Sequence, residues 1–234
     1  MRKLQILTLA VFVGFITFGQ ENDITPKYSN EFLSIGVGAN ALGLSNAVVA
    51  GADDVTAGYW NPAGLMEIDD FLQVGAMRSE YFAGIAKYDY IGIAKPLDEK
   101  SAAGFTFIRF GVDDIPNTTQ LIDKDGNINY DNITTFSAGD YAFLFSYARK
   151  MPIEGLNLGG NFKVVYRHVG DFARSWGFGI DAGLKYTRGE KWKFGRYSSF
   201  CAKTVVSCNK RKNRSNFFMV LSGCCLLLRL MVYR

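Results

Sequence analysis

Few residues of this chain have the types and spacings that support catalysis. His168 is the only histidine and all four cysteines lie beyond residue 200, so residues 20–195 offer neither a Cys/His nucleophile pair nor a Cys/His zinc cluster. No Gly-x-Ser-x-Gly elbow is present to supply a serine nucleophile. A lipid hydrolase centred on His168 therefore stays open only as an alternative, and we predict no catalytic residue.

Two other motifs look like ligand sites but lack the required context. The run Gly36-Val-Gly38-Ala-Asn-Ala41 matches a GxGxxA fingerprint, which binds a dinucleotide only within a parallel strand–helix–strand unit. The loop 123–131 is rich in oxygen ligands, but Gly126 is its fourth residue, whereas an EF-hand loop needs glycine at the sixth. Asp125-Gly126 is instead a hairpin-turn signal. We predict a solvated loop, no metal site and no cofactor.

The composition indicates an exported body. Arg2 and Lys3 precede an apolar run at 4–18, and this order predicts a signal peptide over residues 1–19. Residues 20–195 carry 16 Lys and Arg against 22 Asp and Glu, a net charge of −6, and show no basic stripe that would bind nucleic acid. With 25 glycines, 5 prolines and 15% aromatic residues, the chain favours long strands over a helical bundle.

From residue 156 to residue 187 apolar and polar side chains alternate, which predicts strands with one lipid-facing side. A tilted strand needs roughly 9 to 11 residues to cross a bilayer, and both runs are that long. The apolar side carries Leu156, Leu158, Gly160, Phe162, Val164, Tyr166, Trp176, Phe178, Ile180, Ala182, Leu184 and Tyr186.

Similar patterns predict six strands, with a seventh beginning at Lys191. The predicted strands are 71–79, 83–95, 101–112, 138–150, 156–169 and 175–188. Three connections are short, whereas the connection at 113–137 is long. Short periplasmic turns and longer external loops are typical of outer-membrane barrels. We therefore expect an all-β, antiparallel transmembrane wall over residues 71–195.

Four charged residues share the polar side of the last two predicted strands: Lys163, Arg167, Asp181 and Lys185. We expect them to face a wet or plugged lumen. One register places Lys163 opposite Asp181, a pair that contributes about 0.2 to 1 kcal/mol. Solvated charges on a soluble sheet are the alternative.

A short motif, Asn61-Pro62-Ala63-Gly64-Leu65, precedes the strands. Asn61 suits a helix N-cap and Pro62 the first helical position, while Gly58 and Gly64 permit close approach to a wall. With the small-residue runs at 38–47 and 50–60, this motif resembles the N-terminal part of FadL-like outer-membrane barrels. The resemblance is nearest to the PorV/PorQ family of type IX secretion.

That resemblance implies a FadL-like barrel of about fourteen strands, with residues 20–70 and their motif as a plug in the lumen. It also implies location in the outer membrane of a two-membrane bacterium, in contact with outer-membrane lipid. Family members act in export or surface attachment of secreted proteins, so the expected partners are protein cargo and secretion-system components, which are bound and not chemically changed. A channel for small hydrophobic solutes is the first alternative, and an outer-membrane lipid hydrolase is the second.

Residues 196–234 differ from the body in composition. They hold eight Lys and Arg, no acidic residue, and Cys201, Cys208, Cys224 and Cys225. The apolar run at 217–228 is shorter than the roughly 20 residues of a transmembrane helix. Because six or seven strands do not close a barrel, we expect a partial barrel. We interpret the tail as out-of-frame or non-native sequence, with a genuine basic tail as the alternative.

Overall fold

The computed structural model describes residues 30–69, 71–122, 126–189, 192–208 and 227–233. The predicted signal peptide and residues 123–125 of the acidic loop lie outside these ranges. From residue 32 onward the described chain belongs to one compact unit. Strands make up 59% of the structure, which confirms the predicted all-β class.

All the described strands form one antiparallel sheet in chain order, each pairing with the next. Seven long strands curl into a half-barrel, and a short eighth strand pairs with the seventh. Within the described residues β1 pairs only with β2, so the sheet is not closed there. The strands are β1 (Gln73–Tyr81), β2 (Ala86–Asp98), β3 (Ser101–Asn117), β4 (Thr134–Lys150), β5 (Leu156–Val169), β6 (Ala173–Arg188), β7 (Trp192–Cys208) and β8 (Leu227–Tyr233).

The bounds of β1, β2, β5 and β6 lie within about three residues of the predicted ones, whereas β3, β4 and β7 are longer than predicted. β5 has the predicted bounds, whereas β3 and β4 continue pairing beyond a register shift between Val112 and Ile115. That extra pairing shortens the long connection from 113–137 to 118–133. β7 continues past Gly195 to Cys208, so strand structure extends into the stretch that the sequence separated as a tail.

The connections lie at two ends of the sheet. We call the end with the loop 118–133 the long-loop end, and the opposite end, with the turns 99–100 and 151–155, the short-turn end. The long-loop end carries the loop 118–133 and the brief turns 82–85 and 170–172. Within that loop an isolated antiparallel bridge joins Ile122 to Ile128, with Gly126 in the left-handed region at φ 84°, as a hairpin turn requires.

The two faces of the sheet have opposite chemistry. On the outer face Phe162, Phe178 and Ile180 are 48%, 48% and 62% exposed. On the inner face Asp181 and Lys185 are 1% and 0% exposed. On β5 and β6, apolar side chains outside and charged side chains inside are the reverse of the arrangement in a soluble sheet, where one face packs on an apolar core.

Residues 32–69, which we call the inner segment, cover the inner face. Their short elements are a 3-10 helix (Glu31–Ser34), helix α1 (Ala39–Gly43), helix α2 (Ala57–Trp60) and a second 3-10 helix (Pro62–Glu67). Trp60 and Leu65 are buried in one core with inner-face side chains of β2, β3 and β4, namely Tyr88, Tyr90, Ile108, Ala142 and Leu144. Among the described residues, none of the helices has the length and apolar character needed to cross a bilayer.

Candidate functional site between the inner segment and the sheet

Asn61 ties the inner segment to the sheet. Its side-chain oxygen accepts a hydrogen bond from the Ala63 backbone at 3.2 Å, so it caps the 3-10 helix that begins at Pro62, as predicted. Its amide nitrogen donates to the carbonyls of Val49 at 2.9 Å and Leu184 at 3.2 Å. Because Leu184 belongs to β6, this one buried side chain joins the start of the helix and the inner segment to the sheet, which we also call the wall.

Two strand glycines form a notch that receives the motif. A Cβ at Gly159 of β5 would lie 2.5 Å from the carbonyl carbon of Pro62 and would also overlap Ala63. A Cβ at Gly183 of β6 would lie 2.9 Å from Pro62 Cδ and would also overlap Asn61. The backbone at Asn61, Pro62 and Ala63 therefore approaches the wall as closely as it does only because both strand residues lack a side chain.

The two glycines that the sequence singled out for close approach, Gly58 and Gly64, differ in what they contact. A Cβ at Gly58 would meet the Thr106 and Ser146 hydroxyls of β3 and β4 at 3.0 and 3.1 Å, so Gly58 approaches the wall as predicted. A Cβ at Gly64 would overlap the backbone carbonyl of Ala52, which belongs to the inner segment. At Gly64 the absent side chain therefore makes room for the segment itself.

Lys163 and Asp181 form a buried ion pair beneath the inner segment. The Lys163 Nζ lies 2.7 Å from Asp181 Oδ1, with side chains 5% and 0% exposed. Asn161 donates its amide hydrogens to the Gly58 carbonyl at 2.8 Å and to Asp181 Oδ2 at 3.3 Å. The ladder places Asn161, not Lys163, opposite Asp181, so the register differs by two residues from the one considered in the sequence. The long lysine side chain spans this offset diagonally.

Lys185 and Lys193 converge on one carboxylate, that of Glu67. The distances from Glu67 Oε2 are 2.9 Å to Lys185 Nζ and 3.0 Å to Lys193 Nζ. Thr187 donates its hydroxyl hydrogen to Glu67 Oε1 at 3.3 Å, and Lys185 also donates to the Ala52 carbonyl at 2.7 Å. Lys185 was predicted from the sequence as a lumen-facing charge, whereas Glu67 and Lys193 were not among the predicted site residues.

The charges of the inner segment complement those of the wall. Residues 32–69 contain four acidic residues and no Lys or Arg: Asp53, Asp54, Glu67 and Asp69. Burial by itself raises the pKa of Glu67, but the ammonium groups of Lys185 and Lys193 outweigh burial and lower that pKa below its usual range. Glu67 is therefore ionised at neutral pH, and its single negative charge offsets part of the charge of the two cations that it contacts.

Arg167 lies farther toward the long-loop end than the other predicted lumen charges. It forms a bidentate pair with Asp140 of β4, at 2.5 Å from Nε to Oδ1 and 2.7 Å from Nη2 to Oδ2, and its side chain is 37% exposed. The structure thus places Lys163 with Asp181, Lys185 with Glu67 and Lys193, and Arg167 with Asp140, in three separate groups.

The remaining motifs acquire no ligand-binding context in the described residues. Gly36 and Gly38 adopt left-handed conformations in the inner segment, and every described strand pairing is antiparallel, so no parallel crossover surrounds them. No group of three or more His, Cys, Asp or Glu side chains in the described ranges is arranged to hold a metal ion.

Comparisons of the chain with models of protein families, with curated proteins and with solved structures found no match.

Proposed function

We propose that this protein is an outer-membrane β-barrel protein of the PorV/PorQ type, which the membrane anchors through the outer face of its strands. Its long-loop end binds exported protein cargo without chemical change. The observation that carries this proposal is the outer face itself, where an apolar band lies between two rows of aromatic side chains.

The first aromatic row crosses three neighbouring strands near the long-loop end. Tyr141, Tyr166 and Trp176 stand opposite one another on β4, β5 and β6. Their ring centroids are 6.0 Å apart between the tyrosines and 4.5 Å apart between Tyr166 and Trp176. Tyrosine and tryptophan favour the membrane–water interface because one end of the ring is apolar and the other forms hydrogen bonds.

The second aromatic row lies near the short-turn end. Tyr186 of β6 stacks with Phe194 of β7 at 6.3 Å, and Phe194 stacks with Trp192 at 6.4 Å. Trp176 and Tyr186 are ten positions apart on β6. At about 3.3 Å per residue and a tilt of about 40°, they differ in height by about 25 Å, the height of the apolar band of an outer-membrane barrel.

Apolar side chains at the long-loop end support the cargo-binding part of the proposal. Phe82 and Tyr130 are 78% and 71% exposed in two different connections at this end. Ile85, Ile122 and Ile128 are exposed in the same connections. Contiguous exposed apolar patches mark surfaces that contact another macromolecule, and these five side chains are all at one end of the sheet.

The test replaces Phe82 and Tyr130 together with serine in the full chain. We expect the variant to fractionate with the outer membrane as the wild type does and to lose co-purification with secreted proteins. Ile153→Ser is the matched control, since Ile153 is exposed in the turn at the opposite end. Unchanged cargo recovery in the double variant would refute cargo binding at this end, and recovery of wild-type protein in the soluble fraction would refute the membrane location.

Reconstitution into liposomes distinguishes the channel alternative from cargo binding. Reconstituted wild-type protein is expected to leave the permeability of liposomes to a small hydrophobic solute unchanged, because the inner segment covers the inner face. Solute uptake that depends on the protein would favour the channel instead.

A further inference from the structure

We propose that Lys185 and Lys193 form a carboxylate-binding socket on the inner face, which Glu67 fills as a ligand from the same chain. This inference goes beyond cargo binding and does not depend on it. The ligand class is a carboxylate, from whatever molecule carries it.

The geometry of the two ammonium groups is that of an anion site. Both Nζ atoms approach the same oxygen of Glu67, at 2.9 and 3.0 Å, and they come from neighbouring strands of the wall. The second oxygen accepts a hydrogen bond from Thr187 of β6 at 3.3 Å. The donors thus all belong to the sheet, whereas the carboxylate belongs to the inner segment.

Burial makes an anion necessary at this place. The Lys185 side chain is 0% exposed, and a buried ammonium without a counter-charge is strongly destabilising. The Ala52 carbonyl also accepts from Lys185, but it carries no net charge that could neutralise the cation. When Glu67 is absent, the site therefore favours any small anion that reaches it.

Solvent reaches the edge of this site. Glu67 and Lys193 are 21% and 29% exposed, so the socket opens toward solvent on the β7 side. A cleft of about 450 Å³ lies beside Lys193 and is lined mainly by small residues of the inner segment, together with Asp53 and Asp54. Asp53 lies 3.6 Å from Lys193 and neutralises part of its charge, which leaves Lys185 as the stronger requirement for an added anion.

The experiment is chemical rescue of Glu67→Ala in the full chain, in detergent micelles. An amine-reactive reagent labels accessible lysines, and mass spectrometry follows the labelling rate at Lys185. We expect Lys185 to react about tenfold faster in Glu67→Ala than in the wild type, since losing one charge-assisted hydrogen bond corresponds to a factor of about ten or more. Acetate, which fits the vacated carboxylate position, should restore protection, whereas the neutral isostere acetamide should not.

Two internal references accompany this measurement. Lys163 is 5% exposed and pairs with Asp181 of the wall, so its labelling should stay slow in Glu67→Ala. Glu80→Ala removes an exposed carboxylate that pairs with Arg78 on the outer face, and it should leave Lys185 protected. Unchanged labelling of Lys185 in Glu67→Ala, or equal effects of acetate and acetamide, would overturn the socket.

Should Lys163 also become reactive in Glu67→Ala, the alanine variant has lost its fold and Glu67→Gln decides the question. The glutamine fills the same volume without the charge. We expect Lys185 to react faster in Glu67→Gln than in the wild type, with no rescue by acetate because the amide occupies the position. Wild-type protection of Lys185 in Glu67→Gln would overturn the proposal.

Discussion

Gly159 is the position at which the smallest possible substitution should disturb the inner segment most. Gly159→Ala adds one methyl group on the inner face of β5, where the segment backbone at Pro62 and Ala63 lies directly against the strand. The added carbon would be 2.5 Å from the Pro62 carbonyl carbon. Backbone atoms have no rotamer that avoids this contact, so the segment has to move away from the wall.

The expected cost follows from what that movement breaks. Overpacking in a well-packed interior costs about 1 to 3 kcal/mol, and a contact with backbone belongs at the upper end of that range. Part of that cost is the stretching of the hydrogen bonds from Asn61 to Val49 and Leu184, which are 2.9 and 3.2 Å long and contribute about 1 kcal/mol each. A cost of about 3 kcal/mol raises the undocked population of the segment about a hundredfold.

Hydrogen exchange measured by mass spectrometry in detergent reads this population directly, because local opening controls exchange of protected amides. We expect peptides that cover residues 58–66 to exchange about a hundredfold faster in Gly159→Ala, with the amides of β5 itself little changed. Gly160→Ala is the control in the same strand, since its Cβ faces outward and meets only the Asp181 carbonyl oxygen, at 3.3 Å. Equal exchange of the segment in the two variants would refute the notch.

Three further predictions concern charge and the outer face. Because the pKa of Glu67 is lowered, its contribution to docking is complete above the ordinary carboxyl value of about 4.3 and is lost as pH falls through the lowered pKa. Hydrogen-exchange protection of residues 62–69, corrected for intrinsic exchange, should therefore fall between pH 5 and pH 2. Constant protection over this range would contradict the prediction. Lys163→Met should destabilise the protein by about 3 to 5 kcal/mol in denaturant titrations, and adding Asp181→Leu should recover most of that loss, so a double variant as unstable as the single one would count against the buried pair. Phe162→Arg should cost about 2 to 4 kcal/mol in folding titrations with lipid vesicles, whereas Phe82→Arg in a turn should cost little, and equal costs would argue against a lipid-facing outer side.

The alternation of side chains was enough to predict the strands and their faces. In β5 and β6 every second residue changes side, so the period of two assigns Phe162 to one face and Lys163 to the other without knowledge of the partner strands. The cap at Asn61 was also predictable, because asparagine followed by proline is a local signal for a helix start. Both are features that neighbouring residues determine.

The register and the docking contacts were not predictable in this way. A period of two fixes the face of Asp181 but not the residue opposite it, because register depends on turn geometry and on the pattern of the partner strand. Glu67 and Lys193 are 126 residues apart in the chain, so nothing local relates them. Gly159 and Gly183 acquire their role from the backbone that approaches them, and a missing side chain contributes nothing to a hydrophobic pattern.

The inner face has an apolar half and a charged half, so neither water nor an apolar core alone would stabilise both. On β2, β3 and β4 it presents Tyr88, Ile108 and Leu144, and exposing these side chains to water would cost free energy. On β5 and β6 it presents Lys163, Asp181 and Lys185, which an apolar core would not tolerate without partners. The inner segment satisfies both halves, since it packs apolar side chains on the first and sets the Glu67 carboxylate and backbone carbonyls against the second.

This division makes the sheet and the inner segment depend on each other for stability. A sheet without the segment would expose its apolar half to water, so we expect the sheet to need the segment as much as the segment needs the sheet. A chain that lacks residues 32–69 should then fail to bury Lys185 and should lose protection across β5 and β6 in hydrogen exchange. Full protection of those strands in the shortened chain would show that the sheet folds without the inner segment and does not depend on it for stability.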